Sequence, residues 1–307
     1  MAALYWRPMQ VANRQRPPAG TLFLDHVSHF VPDLEAATAA LRGLGFAVTP
    51  VSAQQTQDGP AGTSNVCVML DEGYLEFLAP TADTPNAARL RAAMQRYPGV
   101  HLACFGTPAA EDEHARLGGH GFEPQPLVHL ERPVDLDGAQ AQARFKVARP
   151  AAGSMPEGRV QYVEHLTPEA LWQPRYLEHS NGVTSLACVF VVADDTVQAS
   201  ARWARFAALL PQPAGAFVHL QTARGHALVG TGRAWRALFG EAPSAPGLCG
   251  YALECSDPAA LVSRCKHLGM KPRRLRDNLY AATLPQALGG AWIFGSRSAL
   301  AFPEEPG

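Results

Sequence analysis

The sequence predicts an α+β protein made of four β-α-β-β-β modules paired into two domains. Three observations carry that expectation. An apolar strand running into a helix recurs four times along the chain. Alternating or apolar runs bounded by turn residues follow each helix, as strands do. A length of 307 residues, at roughly 100–200 per domain, leaves room for two domains with real cores. One such module is too small and too one-sided to be stable alone, so the modules are expected to pair.

The first module opens with the strand-like run Leu24 to Asp33, whose last residue can cap a helix. That helix carries Leu34, Ala37 and Leu41 on one face and is expected to stop at Gly43, a residue that tolerates a left-handed closing conformation. Strands are then expected over 47–52, 64–70 and 74–78. In the second module, 100–105 precedes a helical stretch ending in Gly118-Gly119-His120-Gly121-Phe122, an echo of Gly43-Leu44-Gly45-Phe46. Its further strands are expected over 126–130, 143–148 and 160–166. The third module runs from 186–193 into Asp194 and a helix with Val197, Ala201, Ala204 and Ala208 at helical spacing. The fourth runs from 251–256 into Asp257-Pro258, a cap followed by a first-turn proline, and its helix ends at Gly269. Strand periodicity lapses from Trp172 to Gly182. The expected organisation is therefore an N-terminal arm over 1–20, one domain over 21–178 and a second over 179–307. The arm, broken by Arg7, Pro8, Arg14, Arg16, Pro17 and Pro18, reads as mobile or surface-lying.

Composition removes several function classes. With 26 Lys and Arg against 27 Asp and Glu the net charge is −1, and no basic stretch offsets it, so a nucleic-acid partner is not expected. Apolar residues at 47% and charged residues at 17% describe a folding, globular chain. The longest apolar run, 186–193, falls far short of the ~20 residues a spanning helix needs, and the N-terminus lacks the apolar core of a secretory signal. The six cysteines form no C-x-x-C pair and sit mostly among apolar neighbours, which reads as buried free thiols in a reducing, cytoplasmic setting.

The candidate chemistry comes from aligning the first two modules. Tyr74-Leu75-Glu76-Phe77-Leu78-Ala79-Pro80 matches Tyr162-Val163-Glu164-His165-Leu166-Thr167-Pro168, and His26-Val27-Ser28-His29-Phe30 matches His101-Leu102-Ala103-Cys104-Phe105. Alternate side chains of a strand share a face, so Glu76 and Glu164 are expected on equivalent faces. If the modules pair about a pseudo-twofold axis, two imidazoles and two carboxylates converge on a divalent metal.

These duplicated pairs, His26/Glu76 and His101/Glu164, resemble the vicinal oxygen chelate superfamily, which contains glyoxalase I, extradiol dioxygenases and bleomycin-resistance proteins. The chain is most similar to glyoxalase-like domain proteins through Leu24-Asp25-His26-Val27, Gly62-Thr63-Ser64-Asn65 and Gly73-Tyr74-Leu75-Glu76-Phe77. The stretch from Glu164-His165-Leu166-Thr167-Pro168 through Trp172 to His179-Ser180-Asn181-Gly182 is likewise similar. The resemblance covers about 21–182 and implies two domains, each a curved mixed sheet enclosing a cleft. It implies metal ligands at His26, Glu76, His101 and Glu164, with His165 the alternative to Glu164 if a bulge shifts the strand by one.

The second half offers no such set. Counting back from Asp194 and Asp257 as His26 stands to Asp33 gives Ala187 and Gly250, and the last strands there carry no glutamate. It reads as a degenerate copy that packs, dimerises or walls a cavity. Of the remaining histidines, His29 reads as a packed core residue, and His114, His120, His129, His219, His226 and His267 as surface or hydrogen-bonded ones. Gly230-Thr231-Gly232 lacks the third glycine and the surrounding β-α-β unit of a dinucleotide loop. Trp172, His179 and Asn181 read either as a plain linker or as a cover over the cleft.

Two imidazoles with carboxylates suit Zn(II), Fe(II), Mn(II) or Ni(II). Such a metal would polarise the vicinal oxygens of a small organic substrate, with Glu76 or Glu164 as the proton-abstracting base of an isomerase or lyase, or would activate dioxygen as in a dioxygenase. The other reading is a non-catalytic, resistance-type protein that binds a small molecule on the same fold. Four modules complete both domains internally, so monomer and homodimer are both open.

Overall fold

The structure, a computed structural model, describes residues 11–301 apart from 58, 137 and 244. The first module is β1 (Phe23–Phe30), α1 (Leu34–Gly43), β2 (Ser52–Thr56), β3 (Gly59–Met69) and β4 (Tyr74–Pro80), and a linking helix α2 (Pro85–Arg96) follows. The second is β5 (Gly99–Gly106), α3 (Ala110–Gly119), β6 (Val128–Leu136), β7 (Ala139–Ala148) and β8 (Arg159–His165). The third is β9 (Val183–Val192), α4 (Thr196–Ala207), β10 (Pro211–Ala214), β11 (Phe217–Gln221) and β12 (His226–Gly230). After the linking helix α5 (Gly232–Phe239) come β13 (Gly247–Cys255), α6 (Pro258–His267), β14 (Arg273–Arg276), β15 (Leu279–Thr283), β16 (Ala291–Gly295) and a short α7 (Arg297–Leu300). All four modules are β-α-β-β-β.

The helix signals act largely where the sequence puts them. Asp33 accepts from the backbone N–H of Glu35 and Ala36 at the start of α1, and Asp257 accepts from Ala260 with Pro258 in the first turn of α6. For α4 the cap is Asp195, not Asp194, because its carboxylate is the one that reaches the N–H of Gln198. Helix α1 includes Gly43, and the left-handed residue is Gly45, at φ +90°.

The two halves close differently. The first forms a closed barrel in the order β1-β4-β3-β2-β6-β7-β8-β5, while the second is an open sheet in the order β10-β11-β12-β9-β13-β16-β15-β14. The barrel seam is slight: β2 meets β6 only through Gln55 with Glu131 and Thr56 with Leu130. The outer wall of the barrel and the second sheet share one core, in which Val27, Leu75, Phe77 and Phe105 join Leu186, Trp203, Phe206, Leu253 and Trp292. His29 sits at this joint, stacked on Phe77, its Nδ1 2.9 Å from the Leu288 carbonyl and its Nε2 3.2 Å from the Tyr251 hydroxyl. A neutral imidazole satisfies both, donating from Nδ1 and accepting at Nε2. Burial lowers its pKa to about 4, against a weaker opposing pull from the Leu288 carbonyl.

The expectation of a mobile or surface-lying arm is corrected for its described part. Val11 and Ala12 are buried in the core inside the barrel, beside Tyr74 and Trp172. Gln15 is fully buried and its amide donates to the carbonyls of Val11 and Asp71. Residues 1–10 lie outside the described residues. The segment from Trp172 onward is a strap with specific anchors: the Trp172 indole donates to Leu70 O at 3.0 Å, and Asn181 donates to Leu44 O at 2.9 Å. His179 accepts from the N–H of Ala47 at Nδ1, which leaves its Nε2 to donate to Met69 O at 2.8 Å. All six cysteines are free, five of them buried. No helix among the described residues is long and apolar enough to cross a membrane.

Because His29 takes up its proton more readily when unfolded, stability should fall as pH drops from about 6.5 to 4, as the unfolded chain then binds more protons. At ~1.4 kcal/mol per pKa unit, His29 alone accounts for about 3 kcal/mol of that loss. Urea unfolding at pH 7, 6, 5 and 4 should show the decline, and His29→Gln should flatten it.

Candidate functional site

The barrel interior holds a polar network, and two bulges in the β1–β5 pair decide which side chains join it. Between β1 and β5 the register passes from Leu24 opposite Phe105 to His26 opposite Cys104, so Asp25 is the extra residue. On β5 it passes from Leu102 opposite Ser28 to Val100 opposite His29, so His101 is the extra residue. A bulge re-aims its side chain. Asp25 is thereby turned inward, fully buried, with Oδ1 2.7 Å from His26 Nδ1 and both oxygens 3.0–3.1 Å from His165 Nε2. Burial alone would raise its pKa; the two imidazoles reverse that and hold it well below the usual carboxylate range. Burial likewise opposes an imidazolium at His26, yet the neighbouring Cys104 sulfur and Asp25 lift it well above its ordinary value. Since burial pushes the Cys104 thiol up as well, the charge facing His26 at neutral pH is that of Asp25. His26 stacks on Tyr74 with ring centroids 4.3 Å apart.

Glu76 centres the other part of the network. Its Oε2 accepts from Ser28 at 2.5 Å, and its Oε1 accepts from Asn65 at 2.5 Å and Gln54 at 3.2 Å. The Asn65 carbonyl accepts in turn from the buried Arg132 guanidinium at 2.9 Å, which also reaches Cys67 Sγ at 3.8 Å. Between these groups lies a cavity of about 60 Å³ beneath the β2–β6 seam, lined by His26, Asn65, Glu76, Arg132, Phe145 and Gln161 among others.

Of the five expected ligands, the structure places His26, Glu76 and His165 inside the barrel, and His101 and Glu164 elsewhere. Glu164 points outward, where its Oε2 accepts the N–H of Ala110 at 3.0 Å and lies 3.8 Å from Lys146 Nζ. It thus caps α3, whose own N-cap residue Ala109 has no side chain for the task. His101 stacks between Tyr97 and Phe30 at the barrel end, and its Nε2 is 2.8 Å from the Tyr97 carbonyl. Burial lowers its pKa to about 4. His165 serves Asp25, wedged edge-on against Phe145 and Trp172.

The physical reason is register. Gly45-Phe46 stand to Gly121-Phe122, and α1 to α3, at one chain separation, and the same separation carries the Asp25 bulge onto the His101 bulge. His26 therefore corresponds to Leu102, one residue beyond His101. Ser28 lies beside Glu76 and Cys104 beside Gln161, so Glu76 corresponds to Gln161, and Glu164 falls on the opposite face. The matching glycines were the better guide, since Gly73 opens β4 as Gly158 opens β8. Asp25 was visible as a charge in an apolar strand. Nothing in the sequence marked Arg132, which comes from the far side of the seam.

Paired β-α-β-β-β modules forming a curved sheet around a polar interior define the vicinal oxygen chelate fold. Within it, this chain belongs to the family described as Glyoxalase-like domain, whose model matches residues 24–207. A hypothetical protein from Staphylococcus aureus aligns over 90% of this chain and 99% of its own, at 12% identity and TM-score 0.64. A mutant 4-hydroxymandelate synthase from Streptomyces coelicolor aligns over 90% and 94%, at 15% identity and TM-score 0.54. A Mn(II)-bound glyoxalase from Novosphingobium aromaticivorans aligns over 91% and 82%, at 10% identity and TM-score 0.51. At these identities the likeness is one of fold. No curated protein sequence matches the chain.

The residues present do not fit the divalent metal that the fold family implies. Among the described residues no three His, Cys, Asp or Glu side chains gather within reach of one ion. Leu102 and Gln161 stand where a second imidazole and carboxylate would be. The guanidinium of Arg132, charged at any physiological pH, sits one residue from Glu76 in the network and repels a second cation.

Two substitutions separate these roles. Glu164→Ala should cost ~1 kcal/mol, the loss of one helix cap, and leave ligand binding in the barrel unchanged; urea unfolding and binding measurements check this. Asp25→Asn should bring the His26 pKa down, because burial then acts unopposed by the carboxylate, as a proton-detected NMR titration of the imidazole would show.

Proposed function

We propose that the chain is a metal-independent enzyme of the vicinal oxygen chelate fold that moves a proton next to a carbonyl on a small, oxygen-rich organic substrate. The observation that supports this reading is the placement of Arg132 and His26 about the same cavity as Glu76, with the Asp25 carboxylate against His26 Nδ1 favouring its imidazolium form. The two cations take the place of a metal as the sink for negative charge. A carbonyl oxygen set between them gathers charge as the adjacent C–H bond breaks. The proton passes to Oε1 of Glu76, whose bond from Gln54 is the longest of the three that this carboxylate accepts and lies at the seam. Its return to the neighbouring carbon or oxygen completes a redox-neutral isomerisation. With a cavity of about 60 Å³ only the reacting group enters, and the slight β2–β6 seam is its door.

Exchange with solvent tests this reading before any substrate is identified. In D2O, NMR of a panel of 2-hydroxy and 2-oxo carbonyl compounds with the protein should show enzyme-dependent deuterium entry at the carbon beside the carbonyl for at least one compound. Glu76→Gln should lower that rate at least a hundredfold and Arg132→Met at least tenfold, with the fold checked by circular dichroism. Elemental analysis and thermal shift with Mn(II), Zn(II), Fe(II) and Ni(II) should show no stoichiometric metal and no selective stabilisation. Near-stoichiometric metal that disappears in His26→Ala would overturn the reading in favour of a metal-dependent enzyme. Tight ligand binding without exchange would favour a resistance-type binding protein.

A further inference from the structure

At the end of the barrel where β1 finishes and β5 and β8 begin, a cleft of about 440 Å³ opens between α2, the 149–158 loop and the start of β8. Four arginines line it: Arg89 and Arg96 from α2, Arg149 at the end of β7 and Arg159 at the start of β8. No aspartate or glutamate does. None of the four makes an ion pair with a carboxylate among the described residues; the pairs formed by arginines there involve Arg91, Arg116, Arg175, Arg202, Arg274 and Arg297. Glu157, the acid nearest in sequence to Arg159, is turned away to Arg202 and Trp203.

The polar partners they do have are few and neutral. Arg96 donates to the Pro156 carbonyl at 3.4 Å, and Arg159 donates from Nε to Gln161 at 3.1 Å. The Nε of Arg149 is buried without a hydrogen-bond partner. Burial, then the repulsion of Arg149 and, more weakly, Arg89, bring the pKa of Arg159 down to about 10 against the partial opposing pull of Glu76, and burial and Arg89 lower that of Arg149. Holding like charges together is unfavourable unless an anion offsets them, and guanidinium forks suit the paired oxygens of phosphate or carboxylate. Apart from the side chains of His101 and Gln125 the rest of the wall is largely apolar, including Phe30, Leu90, Met155 and Val160. The volume falls within the ~300–1,000 Å³ of small-molecule sites.

We propose that this cleft is a binding site for an organic dianion, a phosphate monoester or dicarboxylate carried on an apolar body. Arg149 and Arg159 hold the charged head at the inner end, Arg89 and Arg96 guard the outer rim, and the apolar body lies against Phe30, Leu90 and Met155. The site is separate from the proton-transfer cavity, although the Arg159–Gln161 hydrogen bond joins the two walls.

The experiment is calorimetric titration of the full chain with phenyl phosphate, phthalate and inorganic phosphate, with benzyl alcohol as the neutral control. Phenyl phosphate or phthalate should bind with millimolar or better affinity, the tighter of the two naming the head group, and benzyl alcohol should give no heat. Added NaCl should weaken binding. The double variant R89Q/R149Q should bind at least tenfold more weakly. Without anion it should melt at a higher temperature than the parent, since repulsion is relieved, which also shows that it folds. His26→Ala should bind phenyl phosphate as the parent does, so failure of the proton-transfer reading and failure of this one are distinguishable. Absence of binding by the parent to either dianion, or equal affinity of parent and R89Q/R149Q, overturns the proposal.

Discussion

The first half of this molecule depends on one carboxylate. Asp25 lies between the imidazoles of His26 and His165 inside a closed barrel, where a lone ionised group would cost several kcal/mol. Its two partners make that burial tolerable, and each is fixed by the arrangement: His26 against Tyr74, His165 between Phe145 and Trp172. The bulge that presents Asp25 inward is thus the backbone feature from which the interior network grows. It also ties β1 to β8 across β5, and the buried N-terminal segment and the strap anchored by Trp172 close that end of the barrel.

Duplication and divergence are both legible in this interior. The two modules keep their helices, glycines and bulges in step, yet the bulge residue is aspartate in one and histidine in the other. The position following it is His26 in one and Leu102 in the other, and the pair continues with Glu76 and Gln161. At these matched positions the first module supplies charge and the second neutral or apolar wall. The second module's own charge enters at other positions, through Arg132 on β6, which the seam brings against Asn65 of β3. The second half diverged further. Its open sheet shares a core with the barrel wall and has lined its own concave side with Cys188, Phe190, Leu228 and Ile293 around an apolar cavity of about 280 Å³.

Charge distribution separates two regions of the barrel. Within the seam cavity His26, Glu76 and Arg132 each have a hydrogen-bond partner in one network that includes Asp25 and Asn65. At the opposite end of β1, four arginines face a cleft without acids. Folding does not account for that imbalance, because an uncompensated cluster of like charge lowers stability.

The fold plan is written locally in the chain. Strand-to-helix grammar, capping aspartates and recurring glycines are short-range signals, so four β-α-β-β-β modules and the family likeness could be read from the residues alone. The same local patterns identified His26 and Glu76 as inward residues and His29 as a core histidine. Register and closure, by contrast, became visible only in three dimensions. A one-residue shift in alignment reverses which face a side chain occupies; the recurrent Tyr-x-Glu and His-x-x-x-Phe patterns set His101 and Glu164 against His26 and Glu76, while the glycines and the coincident bulges set Leu102 and Gln161 there. Closure at the β2–β6 seam, the arrival of Arg132 beside Glu76, and the gathering of Arg89, Arg96, Arg149 and Arg159 at one mouth join residues far apart in the chain, and such meetings are set by long-range packing.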